Sequence, residues 1–224
     1  YVELEFSEGV FSASDTSSGV EVTDFDISFN QNNGNANDAV ISSLTKTNGS
    51  PLSGNESTIR ATLNISSPPP SGVETIQITP ANAYAICNSL GNRLSVSECT
   101  VNLTLIDRLV PTINEVNIIA DSIVTITSSE DMYNAVGATG AIGTNHFQAT
   151  VYTNNGNASE ATIVNITNDD QDPLLGGEKI VRIGFVTDLL PSGIEEMTIS
   201  PAGPAYPIYD PKNNQMPINT ISAR

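Results

Sequence analysis

The chain contains two copies of one sequence unit, and this duplication constrains its fold more than any other feature. Residues 25–60 align without a gap over residues 147–182 at a constant offset of 122, and 14 of these 36 positions are identical. Ser7 and Glu8 recur at the same offset as Ser129 and Glu130. A repeated unit of this length forms one structural module per copy, so the duplication predicts two tandem domains.

The boundary between the copies is expected at the short linker 109–111, which ends in a proline and divides the chain into domains 1–108 and 109–224. The net charge of −17 is shared almost equally by the two halves, so it is a property of the repeated unit. Nucleic acids and anionic membranes require basic patches, and this composition therefore excludes both as partners. No apolar run is long enough for membrane insertion.

The hydrophobic pattern has a period of two. Residues 2–6 alternate apolar and acidic side chains, residues 101–105 alternate apolar and polar ones, and clusters of Asn, Gly and Pro separate such segments. Alternation over short segments between turn clusters is typical of β-strands, and no segment has the spacing of an amphipathic helix. The sequence therefore predicts an all-β fold with two tandem β-sandwich domains.

Several motifs resemble those of bacterial immunoglobulin-like repeats in surface-layer proteins and large adhesins. They are Phe-Ser-Glu-Gly-Val at residues 6–10, Ser-Gly-x-Glu at 71–74 and 192–195, and Gly-Asn at 91–92. The second copy departs from the pattern, with Ser128 in place of Phe6 and residues 210–213 in place of the Gly-Asn turn. The resemblance implies two tandem immunoglobulin-like β-sandwich domains at the cell surface or outside the cell.

The first copy lacks its opening strand. In the second copy a proline-led segment, residues 111–120, precedes Val124, whereas the first copy begins at Val2, in register with Val124. A sandwich without this strand exposes an edge. Two interpretations stay open: the chain is a segment of a longer array of repeats, or a strand from another chain fills the gap.

Two groups of acidic residues are candidate calcium ligands, since Ca²⁺ prefers six to eight oxygen ligands. One group lies in a single turn, and the other combines the repeated glutamates with an acid at the domain junction. The alternative for the turn is a solvated loop. The sequence contains no EF-hand pattern. No cofactor is expected to be required, and Ca²⁺ is the candidate ion for these acidic residues. The candidates are Asp169, Asp170 and Asp172 in the turn, and Glu8, Glu130 and Asp107.

Cys87 and Cys99 are expected to form a disulfide across a hairpin, because their spacing fits neither a redox motif nor a zinc site. Such a bond implies an oxidising compartment outside the cytoplasm. The alternative is two buried free thiols.

The chain is not expected to be an enzyme. His146 is the only histidine and is predicted to be a half-exposed strand residue, and no nucleophile or phosphate-binding motif is present. Adjacent acids in strands point to opposite faces, so they do not form a glycosidase pair. The most strongly repeated segment, Asn-Asn-Gly-Asn-Ala, is a candidate ligand-binding loop, with turn geometry as the alternative explanation. Its candidate residues are Asn32, Asn33 and Asn35, and Asn154, Asn155 and Asn157.

These observations predict a stalk segment of a bacterial surface or secreted adhesin or filament, located outside the cell. The expected partners are neighbouring domains of the same chain or other subunits of the same protein. Two alternatives remain: a module that binds glycans or surface proteins, and a strand-exchanging subunit of a polymeric appendage.

Overall fold

The structure is a computed structural model that describes residues 1–12, 16–218 and 221–223, the last three by their backbone alone. Within the described residues the protein is all-β, with antiparallel sheets and two single-turn 3₁₀ helices. This confirms the all-β part of the predicted fold. The chain divides into two compact units, Tyr1–Arg108 and Leu109–Arg224. None of the described helices has the length and apolar character needed to cross a membrane.

The first unit contains a four-stranded antiparallel sheet and a three-stranded one. The larger sheet has the order β3-β4-β1-β6 and the smaller sheet the order β2-β5-β7. The strands are β1 (Val2–Ser12), β2 (Phe25–Asn30), β3 (Ala39–Thr45), β4 (Glu56–Ile65), β5 (Thr75–Pro80), β6 (Ile86–Asn88) and β7 (Leu103–Thr104).

The second unit repeats this division into two sheets, but within the described residues its larger sheet contains the opening strand β8 and has no named strand at the place of β6. Its four-stranded sheet has the order β11-β12-β9-β8 and its three-stranded sheet the order β10-β13-β14. The strands are β8 (Ile113–Ala120), β9 (Ile123–Met132), β10 (Phe147–Tyr152), β11 (Ala161–Thr167), β12 (Glu178–Thr187), β13 (Glu196–Pro201) and β14 (Ile221–Ala223).

Each unit has one hydrophobic core, built by the inward-facing residues of both of its sheets. In the first unit Leu4 and Ile59 of the larger sheet join Ile76 and Ile78 of the smaller sheet in one buried cluster. Buried and half-buried residues alternate along β5, because successive side chains of a strand point to opposite faces, and this is how a period of two produces the core.

The opening strand of the second unit lies where the sequence predicts it. β8 pairs with β9 in antiparallel register, with Val116 opposite Ile126 and Ile113 opposite Ser128. Both β8 residues are buried in the core. Ser128, which replaces the Phe6 of the first copy, is buried and donates its hydroxyl to the Thr112 carbonyl at 3.3 Å. The small Ser128 side chain therefore lies next to β8, at the position that Phe6 occupies in the first unit.

The last strand of the first unit and the Gly-Asn turn of the second copy differ from what the sequence predicts. The strand expected at 101–105 is reduced to Leu103–Thr104, because only these two residues pair with β5. The Gly-Asn turn is kept in the second copy despite its different sequence. The Asp210 carboxylate accepts the N–H of Lys212 and of Asn214, and the Asn88 amide oxygen makes the equivalent bonds in the first unit. Asn213 adopts a φ of 72°, as the turn requires.

Candidate functional site

The repeated Ser-Gly-x-Glu motif places one glutamate behind the Asn-Asn-Gly-Asn loop of each unit. In the first unit the Glu74 side chain is fully buried just before β5. Its carboxylate accepts backbone N–H groups from Asn35 at 2.6 Å and from Ala36 at 2.9 Å. It also accepts the N–H and the hydroxyl of Ser71. One carboxylate therefore joins two loops that are almost 40 residues apart in sequence.

The second unit repeats this contact with the same geometry. Glu195 accepts the N–H of Asn157 at 2.7 Å and of Ala158 at 3.1 Å, together with the N–H and hydroxyl of Ser192. Gly193 also donates its N–H to this carboxylate at 3.0 Å. We call each glutamate with the loop that it holds a glutamate clamp. Both motifs are visible in the sequence, but their contact was not predicted from it.

Glycine is required in the middle of each loop because the carboxylate of the clamp glutamate lies close to the glycine backbone. A Cβ atom built at Gly34 overlaps the Glu74 carboxylate, and one at Gly156 overlaps Glu195. Any side chain at these positions would displace the carboxylate from its donors. This close approach accounts for the glycine in the repeated segment.

The candidate ligand-binding asparagines are largely used by the turn itself. Asn32 and Asn33 have φ values of 49° and 61°, and Asn154 and Asn155 have values of 47° and 68°. The Asn32 side-chain amide donates to the Val73 carbonyl at 2.9 Å.

The equivalent Asn154 amide donates to the Ile194 carbonyl at 3.1 Å, so the first asparagine of each loop is anchored to the segment carrying the clamp glutamate. Asn35 and Asn157 contribute their backbone N–H groups to the clamp. The exposed side chains of Asn33 and Asn155 lie at the tips of the loops. These contacts support turn geometry as the reason for the repeated motif.

The hydrogen bonds of the clamp hold both glutamates in the charged form. Burial raises the pKa of Glu74, but the N–H groups of Ala36, Ser71 and Asn35 outweigh it and lower the pKa to about 2. At Glu195 the N–H of Ser192 is the largest cause of a lowered pKa, and partial burial opposes it. Both carboxylates are therefore ionised at neutral pH and act as acceptors only.

A second repeated glutamate closes a further turn in each unit. Glu56 accepts the N–H groups of Ser53 and Gly54, and Lys46 lies 3.1 Å from its carboxylate. Burial raises the pKa of Glu56, but these donors lower it overall. Glu178 accepts the N–H groups of Leu175 and Gly176 in the equivalent turn. The repeated Pro-Leu-x-Gly-x-Glu sequence was the signal for this contact.

The carboxylates of the acidic turn in the second unit are not gathered into one cluster. Asp169, Asp170 and Asp172 are exposed, and among the described residues their carboxylates do not converge on one point. The turn is closed by its own backbone, since the Asn168 N–H donates to the Asp172 carbonyl at 2.9 Å. This geometry fits a solvated loop.

The two repeated glutamates of the predicted calcium set have different neighbours. Glu8 accepts the Asn88 side-chain amide at 3.1 Å. In the second unit Asp210 stands in the place of Asn88 and is fully buried, and its carboxylate oxygen lies within 4.8 Å of that of Glu130. The second unit therefore has two neighbouring carboxylates where the first has one carboxylate paired with an amide. Asp210 was not among the calcium ligands predicted from the sequence.

Asp107, the remaining member of the predicted set, is half-buried next to the end of the first unit. Its Cβ lies close to Gly72, in the segment that carries the clamp glutamate of that unit.

The predicted disulfide is absent, since Cys87 and Cys99 are free thiols. Cys87 is buried in β6 of the four-stranded sheet. Cys99 is exposed beside β5 of the other sheet, where the Gln77 amide donates to its sulfur at 3.3 Å. The structure therefore gives no support for an oxidising compartment through this pair.

His146 is buried, which corrects the prediction of a half-exposed strand residue. It ends a 3₁₀ turn at residues 144–146, and its Nδ1 accepts the Gly143 N–H at 3.0 Å. Burial lowers the pKa of His146, so the ring is neutral at pH 7. Tyr206 packs edge-on against it, with the ring centres 6.0 Å apart. The imidazole is thus part of the packing of its unit.

Comparison of the chain with models of protein families, with curated protein sequences and with solved structures finds no match.

Proposed function

We propose that the chain is a stalk segment of a bacterial cell-surface or secreted adhesin or filament, built from two tandem immunoglobulin-like β-sandwich domains. Its role is mechanical: each domain holds its own shape and separates other parts of the assembly. Its partners are neighbouring domains and other subunits of the same protein.

The observation that carries this proposal is that the repeated glutamates of each unit bind the backbone of their own unit. The clamp glutamates, Glu74 and Glu195, and the turn glutamates, Glu56 and Glu178, accept backbone N–H groups of their own unit. A repeated binding function would instead keep polar side chains directed at a ligand. What the two copies share is a set of contacts that make loops rigid, which suits a spacer.

A glycan array tests this proposal against a ligand-binding module. We expect the purified chain to bind no glycan more strongly than a control variant in which the exposed Asn33 and Asn155 are both changed to Gly, which tolerates their positive φ. Changing these two residues leaves the clamps intact because their glutamates bond to Asn35, Asn157 and neighbouring backbone. Glycan binding that disappears in the Asn33→Gly, Asn155→Gly variant would contradict the stalk proposal and support a ligand-binding module.

We further propose that Ca²⁺ binds to the second unit and stabilises it. The carboxylates of Glu130 and Asp210 supply hard oxygen ligands of the kind that Ca²⁺ prefers, and extracellular calcium modules bind at about 10⁻⁴–10⁻³ M. The function proposed here does not require a catalytic cofactor.

A further inference from the structure

A single-turn 3₁₀ helix precedes the first strand of the smaller sheet in each unit. It ends at Asp24 before β2 in the first unit and at His146 before β10 in the second, at the repeat offset of 122. The backbone carbonyl of this last residue accepts the N–H of the residue that follows β5 or β13. The donors are Ala81 at 2.9 Å and Ala202 at 2.8 Å. The two turns therefore hold the same part of the sheet in the two units.

The side chain of the last residue closes the turn by accepting a second backbone N–H group. The Asp24 carboxylate accepts the Glu21 N–H at 2.8 Å, and the His146 Nδ1 accepts the Gly143 N–H at 3.0 Å. A carboxyl group keeps an acceptor oxygen whether or not it is protonated, whereas both ring nitrogens of a protonated histidine are donors. The turn of the second unit therefore requires a neutral imidazole, and the turn of the first unit has no such requirement.

Protonation of His146 converts the acceptor of this hydrogen bond into a donor. The Gly143 N–H then faces the Nδ1–H group, and a buried donor that loses its acceptor is costly. The new N–H group can reach the Gly143 carbonyl, which lies 3.3 Å from Nδ1 and already accepts the His146 N–H at 3.0 Å. That contact leaves the Gly143 N–H without its acceptor, so the closed turn does not fit a charged ring.

The surroundings of the ring offer it no counter-charge among the described residues. His146 is 7% exposed, and Tyr206 presents its ring edge to it. β11, which contacts the turn, contains no ionisable residue, and the Glu196 of β13 pairs with Tyr152 at the far end of β10. Burial is the largest cause of the lowered pKa of His146, and the opposing cause is the Gly143 backbone rather than a carboxylate.

We propose that residues 143–146 form a pH-sensitive switch in the second unit, which opens when His146 is protonated under mildly acidic conditions. Opening separates the imidazole from Tyr206 and releases the start of β10, an edge strand whose first residue, Phe147, is buried in the core. The first unit has Asp24 at this position and lacks the switch. This property goes beyond the stalk role and does not depend on it.

The direction of the pH effect depends on which state of the unit binds the proton more tightly. The pKa of His146 in the folded unit lies below its ordinary value of 6.5, so the open state binds the proton more tightly than the closed state. The contribution of the neutral ring to stability is therefore complete above pH 6.5 and is lost as the pH falls through the folded-state pKa.

Proton NMR measures the titration of the ring directly. His146 is the only histidine of the chain, so its Hε1 signal is identified without further assignment. We expect the titration midpoint of this signal in the full chain to lie below 6.5, since burial disfavours the charged ring. A midpoint at or above 6.5 would overturn the proposal, because the folded unit would then not favour the neutral imidazole.

Amide hydrogen exchange of the full chain measures the opening. Protection factors, corrected for the intrinsic pH dependence of exchange, should fall at least about tenfold at residues 143–150 between about pH 7.5 and about pH 5. A tenfold change corresponds to about 1.4 kcal/mol. The equivalent residues 21–28 of the first unit should keep their protection within a factor of about two. This comparison between the units requires no variant.

Two matched variants assign the opening to the imidazole. His146→Asn keeps an acceptor oxygen for the Gly143 N–H but does not titrate, so it should remove the pH-dependent loss of protection at residues 143–150. Asp24→Asn, the same change in the first unit, should leave that loss unaltered. Circular dichroism at about pH 7.5 checks that both variants are folded.

Three exchange results would each contradict the switch. They are unchanged protection at residues 143–150 in the unmodified chain, an equal loss at residues 21–28, and a loss in His146→Asn as large as in the unmodified chain. None of these results bears on the stalk proposal, which depends on the glycan array.

Discussion

Single carboxylates determine the conformation of the longest repeated loops. Glu74 is fully buried, yet it remains charged because several N–H groups and a hydroxyl point at it. Hydrogen bonds to an ionised group contribute more than neutral ones, and a buried donor without its acceptor is costly. The loop at residues 32–36 therefore belongs to the rigid part of its unit.

Replacing this carboxylate tests the clamp. Glu74→Gln removes the charge and turns one acceptor into a donor that faces other N–H groups, so we expect a loss of about 2 kcal/mol in the free energy of unfolding at pH 7. Urea unfolding measures this loss. Glu5→Gln, at an exposed position of the same unit, should change stability by less than about 0.5 kcal/mol. Equal effects of the two variants would contradict the clamp.

The same variant predicts a pH dependence. The pKa of Glu74 is about 2 in the folded unit, below its ordinary value of 4.5. Because the folded-state pKa is the lower one, its contribution is complete above pH 4.5 and is lost as the pH falls through 2. The difference in stability between wild type and Glu74→Gln should therefore shrink between pH 5 and pH 2. A constant difference over this range would show that the charge is not involved.

The two units are expected to respond differently to calcium because Asp210 of the second unit replaces Asn88 of the first. We expect millimolar Ca²⁺, relative to a chelator, to raise the melting temperature of the wild type and not of Asp210→Asn, which restores the residue type of Asn88. The reciprocal change, Asn88→Asp, places a second carboxylate beside Glu8 and should introduce a calcium response in the first unit. Equal responses of wild type and Asp210→Asn would exclude this pair as a ligand.

At the scale of elements, the two units differ mainly in one edge strand. β8 completes the four-stranded sheet of the second unit and inserts two apolar side chains into its core. The residue paired with Ile113 of β8 also differs between the units: it is the small Ser128 in the second unit, where the first unit has the larger Phe6. A strand that contributes to the core in this way is part of the stability of its unit.

The inward and outward faces of β8 should therefore respond differently to truncation. Val116→Ala removes a buried side chain and is expected to cost about 2 kcal/mol of unfolding free energy, as large-to-small core changes do. Ile118→Ala lies on the same strand but is 49% exposed, so its cost should be clearly smaller. Denaturant titrations of both variants measure the difference. Similar costs would mean that β8 is not inserted in the core.

At the scale of the whole molecule, the chain is two units with separate cores and nearly equal negative charge. The first unit has an open groove and a free strand edge, whereas in the second the corresponding edge carries β8. Apolar burial is the main favourable contribution to folding, so the first unit should be the less stable of the two.

Denaturation of the full chain should then show two transitions. We expect Glu74→Gln to lower the midpoint of the first transition alone and Val116→Ala to lower the second alone, because effects at distant sites with separate cores are independent. Circular dichroism along a urea titration follows both. A single transition that both variants shift equally would show that the units unfold together.

The amino-acid sequence by itself determined the all-β class, the positions of the turns and the strand that begins after Pro111. These features depend on near neighbours: alternation with a period of two defines a strand face, and Asn and Gly tolerate positive φ. The sequence also contained both parts of each clamp, as two repeated motifs whose contact it did not reveal.

Tertiary structure alone decided which distant groups meet. Packing brought Glu74 to Asn35 and buried His146, and it left Cys87 and Cys99 as free thiols. Contacts of this kind depend on how two sheets close over one core, and no local pattern of residues encodes that closure.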